Sequence, residues 1–292
     1  MRLASFDILS PSIPLGDWVS DFIDWLQTAI PLVFDFVQIV LDGAYNGLNF
    51  ILATPSYIYI IIAFTIIAYF VRGWKFALFT LIGFYLIRSF DVWEHTMNSL
   101  ALVILAVVIA VIISVPIGIW ASKSEAVSNT IKPVLDLMQT LSPLVYLVPV
   151  LVIFGVGVTP GAIATIVFAL APGVRFTELG IRQVDPEVVE AGKSFGSTPS
   201  GILWKIQIPL AMPTIMAGIN QVIMLSLSMV VIAGMAGAPG LGADVTNGLQ
   251  TLNVPLGVNA GLAVVIIAIF LDRLSAAFSA RSKVAKAKKV KA

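Results

Sequence analysis

Gly192-Lys193-Ser194 is how a phosphate-binding P-loop ends, and two further residues turn it into Gly192-Lys193-Ser194-Phe195-Gly196, the G-x-S-x-G pattern of a nucleophile elbow. The first would cradle a nucleotide and the second would attack an acyl carbon. Spacing excludes the nucleotide site: the P-loop's leading glycine would fall at Glu187, whose carboxylate repels phosphate. An elbow needs a histidine base and an acid to orient it. The only histidine is His95, which falls in a predicted loop across a membrane from Ser194 and reads as a solvated loop residue. There is no cysteine, so thiol catalysis and thiolate metal sites are excluded, and no H-E-x-x-H or similar cluster offers metal ligands. The sequence therefore provides no catalytic residue, no cofactor-binding residue and no metal ligand.

The elements around this stretch are those of a membrane protein. Of 292 residues, 59% are hydrophobic and 11% charged, with a mean hydropathy of +0.99, whereas soluble domains carry about 25% charged residues. Long apolar runs such as Leu100–Ile113 predict an all-α integral membrane protein in contact with the lipid bilayer. A net charge of +1 points to no partner, and no nucleic acid is expected. No cleavable signal precedes the first span.

About seven spans are predicted: 56–71, 75–87, 98–121, 134–154, 161–177, 214–236 and 258–271. The first two are short against the ~20 residues a bilayer requires. Pro116, Pro143, Pro149 and Pro172 interrupt the later ones. Before them, 16–27 sets Asp17, Asp21 and Asp24 opposite Val19, Phe22, Ile23 and Leu26, and 30–42 repeats the design with Asp35, Gln38 and Asp42. These helices either lie on the membrane surface or pack on the rest of the chain. Neither has a basic residue, so attraction to anionic lipid does not drive them. With the C-terminus inside, every Lys and Arg except Arg2 and Arg88 faces the cytoplasm, and the N-terminus is outside. The expected layout is an outward amphipathic segment 1–55, two additional short spans 56–90, a core 91–280 and a basic cytoplasmic tail 281–292.

The quoted stretch then belongs to a cytoplasmic loop, about 177–213. Pro186 opens a helix with Glu187 and Glu190 near its N-terminus, where the macrodipole favours acids. Ala191, Gly192 and Gly196 keep one face small. Pro199 opens a second short helix, capped by Ser197 or Thr198. An amphipathic segment, 202–208, leads back to the membrane at Pro209 and Pro213. A small-faced helix projecting into solvent suits docking into another protein's groove.

Glu190-Ala191-Gly192, then Gly196, then Ile206-Gln207-Ile208-Pro209 resemble the Glu-Ala-Ala signature of ABC importer permeases. Gly192 stands for the second alanine and Ile208 for the leucine. Over about 90–280 the chain is similar to the glycine betaine/proline betaine permeases of osmoprotectant uptake systems. That resemblance implies a type I ABC importer permease fold with a cytoplasmic coupling helix, set in a bacterial inner membrane. It implies a separate cytoplasmic ATPase that docks on Glu190, Ala191, Gly192, Gly196, Ser197, Pro199, Ile206 and Pro209, an extracytoplasmic substrate-binding protein, and a second permease chain in a homodimer. Choline and carnitine pose the same cationic headgroup as the betaines. A secondary transporter or channel acting without ATP is the alternative, and it leaves the docking loop unexplained. Pathway candidates are Tyr146 in the fourth span and Asn220, Gln221, Ser226 and Ser228 along the sixth, with helix-to-helix hydrogen bonding as their other reading.

Overall fold

The computed structural model describes residues 14–280; Arg2 and the basic tail 281–292 lie outside the described residues. Within these, all regular structure is helical. Two helices, α1 (Leu15–Ala29) and α2 (Pro31–Ala53), precede a hairpin of α3 (Tyr57–Arg72) and α4 (Trp74–Ser89). There follow α5 (Trp93–Lys123), α6 (Glu125–Thr140), α7 (Pro143–Phe154) and α8 (Val158–Arg182). A loop carries α9 (Pro186–Ser194) and α10 (Pro199–Ile202), and a π-helical turn, Leu203–Gln207, leads into α11 (Ile208–Ser228). The chain closes with α12 (Val230–Met235), α13 (Leu241–Gln250) and α14 (Val254–Ala280).

The seven-span expectation is revised. By length and apolar composition the candidates are α2, α5, α8, the continuous run Pro199–Met235 and α14. The α6–α7 pair makes a sixth if its two arms count as one broken span. At 16 residues each, α3 and α4 reach about 24 Å, less than the ~30 Å hydrocarbon core. The predicted fourth span is not one helix. Its arms meet at 95°, because the residue before a proline avoids helical ψ and Pro143 has no N–H to continue the ladder. Leu141 and Ser142 are accordingly extended, with ψ of 140° and 134°.

Contacts fix the helix directions. Gly118 lies against Val174 and Thr177, and Gly173 against Ser114, so α5 and α8 run parallel. Gly180 meets Thr214 and Gly218 meets Phe176 and Pro172, so α11 returns antiparallel to α8. Asn220 Nδ2 donates to Asp272 Oδ1 at 3.2 Å, while Leu227 shares a lining with Val264 and Ile267; α14 therefore runs antiparallel to α11. One end of the bundle holds the 183–207 loop with the C-terminal ends of α5, α8 and α14. Parallel α5 and α8 demand a return between them, which the bent pair supplies: Leu135 of α6 packs with Ala171 and Val174, and Leu147 of α7 with Ala164.

The far end is closed by the α12–α13 hairpin, which the sequence reading did not anticipate. Gly237 (φ +89°) and Gly240 (φ +130°) turn the chain where an L side chain would be strained. Gly242 abuts the Val230 carbonyl, leaving no room for a β-carbon. Gly157 N–H donates to the Ala236 carbonyl at 3.0 Å, and Leu241 N–H to Ser99 Oγ at 2.8 Å.

Side chains of α8 are buried along most of its length because three helices converge on it at glycines. A β-carbon on Gly218 would sit 2.5 Å from Phe176 Cβ and one on Gly118 2.6 Å from Thr177 Cβ. Overpacking such a contact costs about 1–3 kcal/mol. Gly218→Val should therefore lower the thermal unfolding midpoint of the detergent-solubilised protein. Gly261→Ala, with nothing within 4 Å of the new atom, should not.

Candidate docking loop and pathway residues

The loop is built from local stop and start signals. Asp185 caps α9 by accepting from Glu187 N–H at 2.9 Å, and Pro186 occupies the first turn, where no N–H is missed. The helix ends in a Schellman arrangement: Gly196, at φ +75°, donates to the Lys193 carbonyl at 2.9 Å and Ser197 N–H to the Gly192 carbonyl at 3.1 Å. Of the two caps considered for α10, Thr198 is the one used, accepting from Gly201 N–H at 3.2 Å. Pro209 cannot donate to the Lys205 carbonyl. The ladder widens there, and Ile208 N–H reaches back to the Leu203 carbonyl.

This loop is seated on the bundle rather than hanging from it. Ile181, Val184, Leu203, Ala211 and Ile215 form a buried cluster with Val115 and Ile119 of α5 and Val189 of α9 packed on it. Gly192 was read as part of an outward small face, and here the geometry differs. Gly192 is buried, and its β-carbon would stand 2.6 Å from Ile206 Cδ1. Gly192 and half-buried Ile206 thus clamp α9 onto the segment that re-enters the bundle. Glu190, Ala191, Gly196, Ser197, Pro199 and Pro209 are exposed. Ser194 Oγ donates to the Glu190 carbonyl at 3.0 Å, an in-helix bond, and lies at the opposite end of the bundle from His95.

Two large side chains stand on the outer surface that sequence reasoning passed over. Phe195 is 90% exposed and Trp204 is 62% exposed, and Val188 of α9 is 42% exposed. The signal was available: an aromatic between a helix end and a left-handed glycine has no core within reach.

Beneath the loop, Glu178 is a buried junction. It accepts from Ser128 Oγ at 2.7 Å and pairs with Arg182 Nε at 2.9 Å and Lys132 Nζ at 3.9 Å. Arg182 Nη2 also donates to the Ala121 carbonyl at 3.0 Å. Arg175 pairs with Asp136 alongside. The α6 arm is thereby tied to α8 and to the end of α5.

The pathway candidates are not brought together. Asn220 faces α14, bonded to Asp272 and Ser275. Ser226 is fully buried and Ser228 bonds its own helix at the Met224 carbonyl. Gln221 is exposed, on a stripe with Ala217, Met224 and Ser228 at helical spacing. Tyr146 packs on the α7–α8–α12 cluster, its hydroxyl without a partner. Three-to-four spacing along a helix does not separate a lining face from a packing face. His95 is exposed as expected, but it lies in α5 rather than in a loop, and its Nδ1 lies 2.5 Å from Asp244 Oδ2, linking α5 to α13. Among the described residues no group of three or more His, Cys, Asp or Glu could hold a metal.

Several helices long and apolar enough to cross a membrane, with a capped helix seated beyond one end, make this a multi-pass membrane protein. Residues 114–284 match the family described as binding-protein-dependent transport system inner membrane component, and the chain belongs to it. Among its relatives, the glycine betaine transport system permease protein OpuAB of Bacillus subtilis is 46% identical over 277 residues, covering 94% of this chain and 97% of the relative. The glycine betaine/proline betaine transport system permease protein ProW of Escherichia coli is 43% identical over 283 residues, covering 95% and 80%. The inward-facing methionine ABC transporter MetNI shares the fold, with a TM-score of 0.55, 18% identity, and coverage of 65% of this chain and 93% of that chain. The protein is thus a multi-pass inner-membrane permease with the type I ABC importer fold, and not itself an enzyme.

The clamp at Gly192 is directly testable. Gly192→Leu should open the 195–198 turn to limited proteolysis several-fold faster, through a strain of about 1–3 kcal/mol. Ala191→Leu, on the exposed side, should leave cleavage unchanged.

Proposed function

We propose that the chain is the permease of an ATP-driven importer for glycine betaine, proline betaine or a related quaternary ammonium compound such as choline or carnitine. The observation that carries the solute class is the near full-length similarity to permeases named for glycine betaine transport. More distant relatives are named for trimethylamine N-oxide and carnitine transport, which share the methylated nitrogen. A family named for binding-protein dependence works with a substrate-binding protein, and its ATP hydrolysis resides in a separate subunit.

In this reading the ATPase grips α9 and the turn after it. Glu190, Ala191, Gly196, Ser197, Pro199 and Pro209 supply the surface, Phe195 and Trp204 the anchors, and Gly192 and Ile206 hold the helix in place. One such loop per chain and two ATPases per transporter favour two permease chains, most simply a homodimer. Residues 1–55 then form an outward segment, 56–90 two accessory helices, 91–280 the core and 281–292 a cytoplasmic tail. Gln221 and Ser228, on the exposed stripe of α11, remain as pathway residues in the dimer.

Reconstituted vesicles containing permease, ATPase and binding protein should accumulate radiolabelled glycine betaine only with ATP inside. Uptake driven by an ion gradient without ATPase would overturn the proposal. In the same assay Phe195→Ala should weaken ATPase association by about 2 kcal/mol, roughly thirtyfold, at unchanged permease level. Ser194→Ala should transport normally.

Charge supports a cytoplasmic loop end in this reading: Lys123, Lys132, Arg175, Arg182, Lys193 and Lys205 all sit at or near it. Single cysteines at Ser5 and Ser282, in a chain that has none, should react with an impermeant maleimide from outside and from inside respectively. Both reacting from one side would refute the placement.

A further inference from the structure

The α12–α13 hairpin is made of helices of six and ten residues, joined by the turn 236–240. Helices so short are marginal alone and depend on what they dock against. One turn of α5 receives the start of α13. Ser99 Oγ accepts from Leu241 N–H at 2.8 Å. A β-carbon on Gly240 would collide with that oxygen and lie 3.0 Å from the His95 carbonyl. His95 and Ser99 are four residues apart and so share the face of α5 that α13 meets. These contacts are neutral. The charged one lies a turn further along α13, where Asp244 Oδ2 meets His95 Nδ1 at 2.5 Å.

The two partners are placed unequally. The Asp244 side chain is 11% exposed and the imidazole 50% exposed. Among the described residues, His95 is the one ionic partner of this carboxylate. A buried carboxylate without compensation is costly, and a charged donor bonds it about twice as strongly as a neutral one. Few other charges are near. Glu94 of α5, with Arg88 and Asp91 from the end of α4 and the turn after it, lines with His95 an open cavity of about 490 Å³. Arg88 and Asp91 pair with each other at 3.0 Å, which leaves Glu94 as the second acid on the imidazole's side. The α2–α3 connection, α12, the rest of α13, and α14 as far as Leu271 carry no charged residue.

We propose that His95 and Asp244 form a proton-dependent latch that holds the α12–α13 hairpin on the first turns of α5. With the imidazole neutral, the contact is one hydrogen bond between an uncharged ring and a carboxylate. With the imidazole protonated, it becomes an ion pair that also neutralises a buried charge. Histidine is the side chain whose charge ordinarily changes between pH 5 and 8. Half of this ring meets solvent, so the proton arrives without unfolding. The latch is tightest in mildly acidic solution, where an imidazolium faces an ionised carboxylate. It loosens as pH rises and the ring gives up its proton, and again in strong acid, where the carboxylate takes one up. What loosens is the end of the bundle away from the loop, since the same hairpin is bonded to the start of α8 through Gly157 N–H and the Ala236 carbonyl. On the orientation proposed above, the solution read is the external one. The latch itself rests neither on that orientation nor on the solute carried.

His95 is the only histidine in the chain, so the untagged protein labelled with carbon-13 histidine gives a single imidazole resonance. In nanodiscs this resonance is titrated upward from mild acid to alkali. Amide hydrogen exchange of 240–250 is measured beside it, corrected for the pH dependence of the chemical exchange step. Protection of 240–250 should fall about three- to tenfold as the imidazole loses its proton, on the same curve, the size of a charge-assisted contact partly open to solvent. Protection of 100–113 in α5 should not follow it. Asp244→Asn should leave the histidine titrating and remove the step in protection. His95→Gln should remove the step as well, whereas Glu94→Gln should keep it. Protection in the unaltered protein that stays constant while the imidazole titrates would overturn the proposal. A step that persists in Asp244→Asn or His95→Gln would do the same, and a step lost in Glu94→Gln would overturn the assignment to Asp244.

Discussion

Backbone contact at glycine is the constraint on which this molecule rests. Lipid tails give membrane helices no hydrophobic reason to associate, so association depends on close packing and on polar groups finding each other. Gly118, Gly173 and Gly218 let α5 and α11 approach α8 to distances that a single methyl group would forbid. With α8 held on two sides, its ends become fixed points. One end positions the buried Glu178 junction, the other the α12–α13 hairpin.

The loop inherits that rigidity. Its underside is continuous with the ends of α5, α8 and α11 through the cluster around Leu203 and Ala211. Motion imposed on α9 is therefore passed to three packed helices at once. The α6–α7 pair is held differently. Its first arm is tied by ions to Glu178 and Arg175, its second by apolar packing to α8 and α12, with no continuous helix between them. Rigid transmission and a jointed arm thus coexist in one chain.

Much of this was legible in the sequence because membrane helices must satisfy their own backbone and so announce themselves as apolar runs. The cores of α5, α8, α11 and α14, the opening of α9 at Pro186 and that of α10 at Pro199 follow from hydropathy and proline placement. Other features depend on tertiary packing, which periodicity does not encode. Gly192 is as small facing inward as outward, and only its approach to Ile206 tells which. Asn220 belongs to a contact with α14 that is 52 residues distant in sequence. The α12–α13 hairpin was hidden because α12 falls inside the predicted span 214–236 and the ten residues of α13 are too few for a span. The pairing of exposed His95 with Asp244 went unseen because the two are 149 residues apart.

The joint between α6 and α7 dictates where water must go. Pro143 has no N–H to offer the Gln139 carbonyl, and Leu141 and Ser142 are extended and exposed on the isolated chain. Irregular backbone at membrane depth survives only where protein covers it or where it borders an aqueous cavity, since hydrocarbon cannot solvate a bare peptide group. Wherever that joint meets the hydrocarbon layer, it must face protein or water rather than acyl chains. The solvation demand of one peptide group thus distinguishes a wet or protein-covered flank from a greasy one, and it does so before any solute is considered.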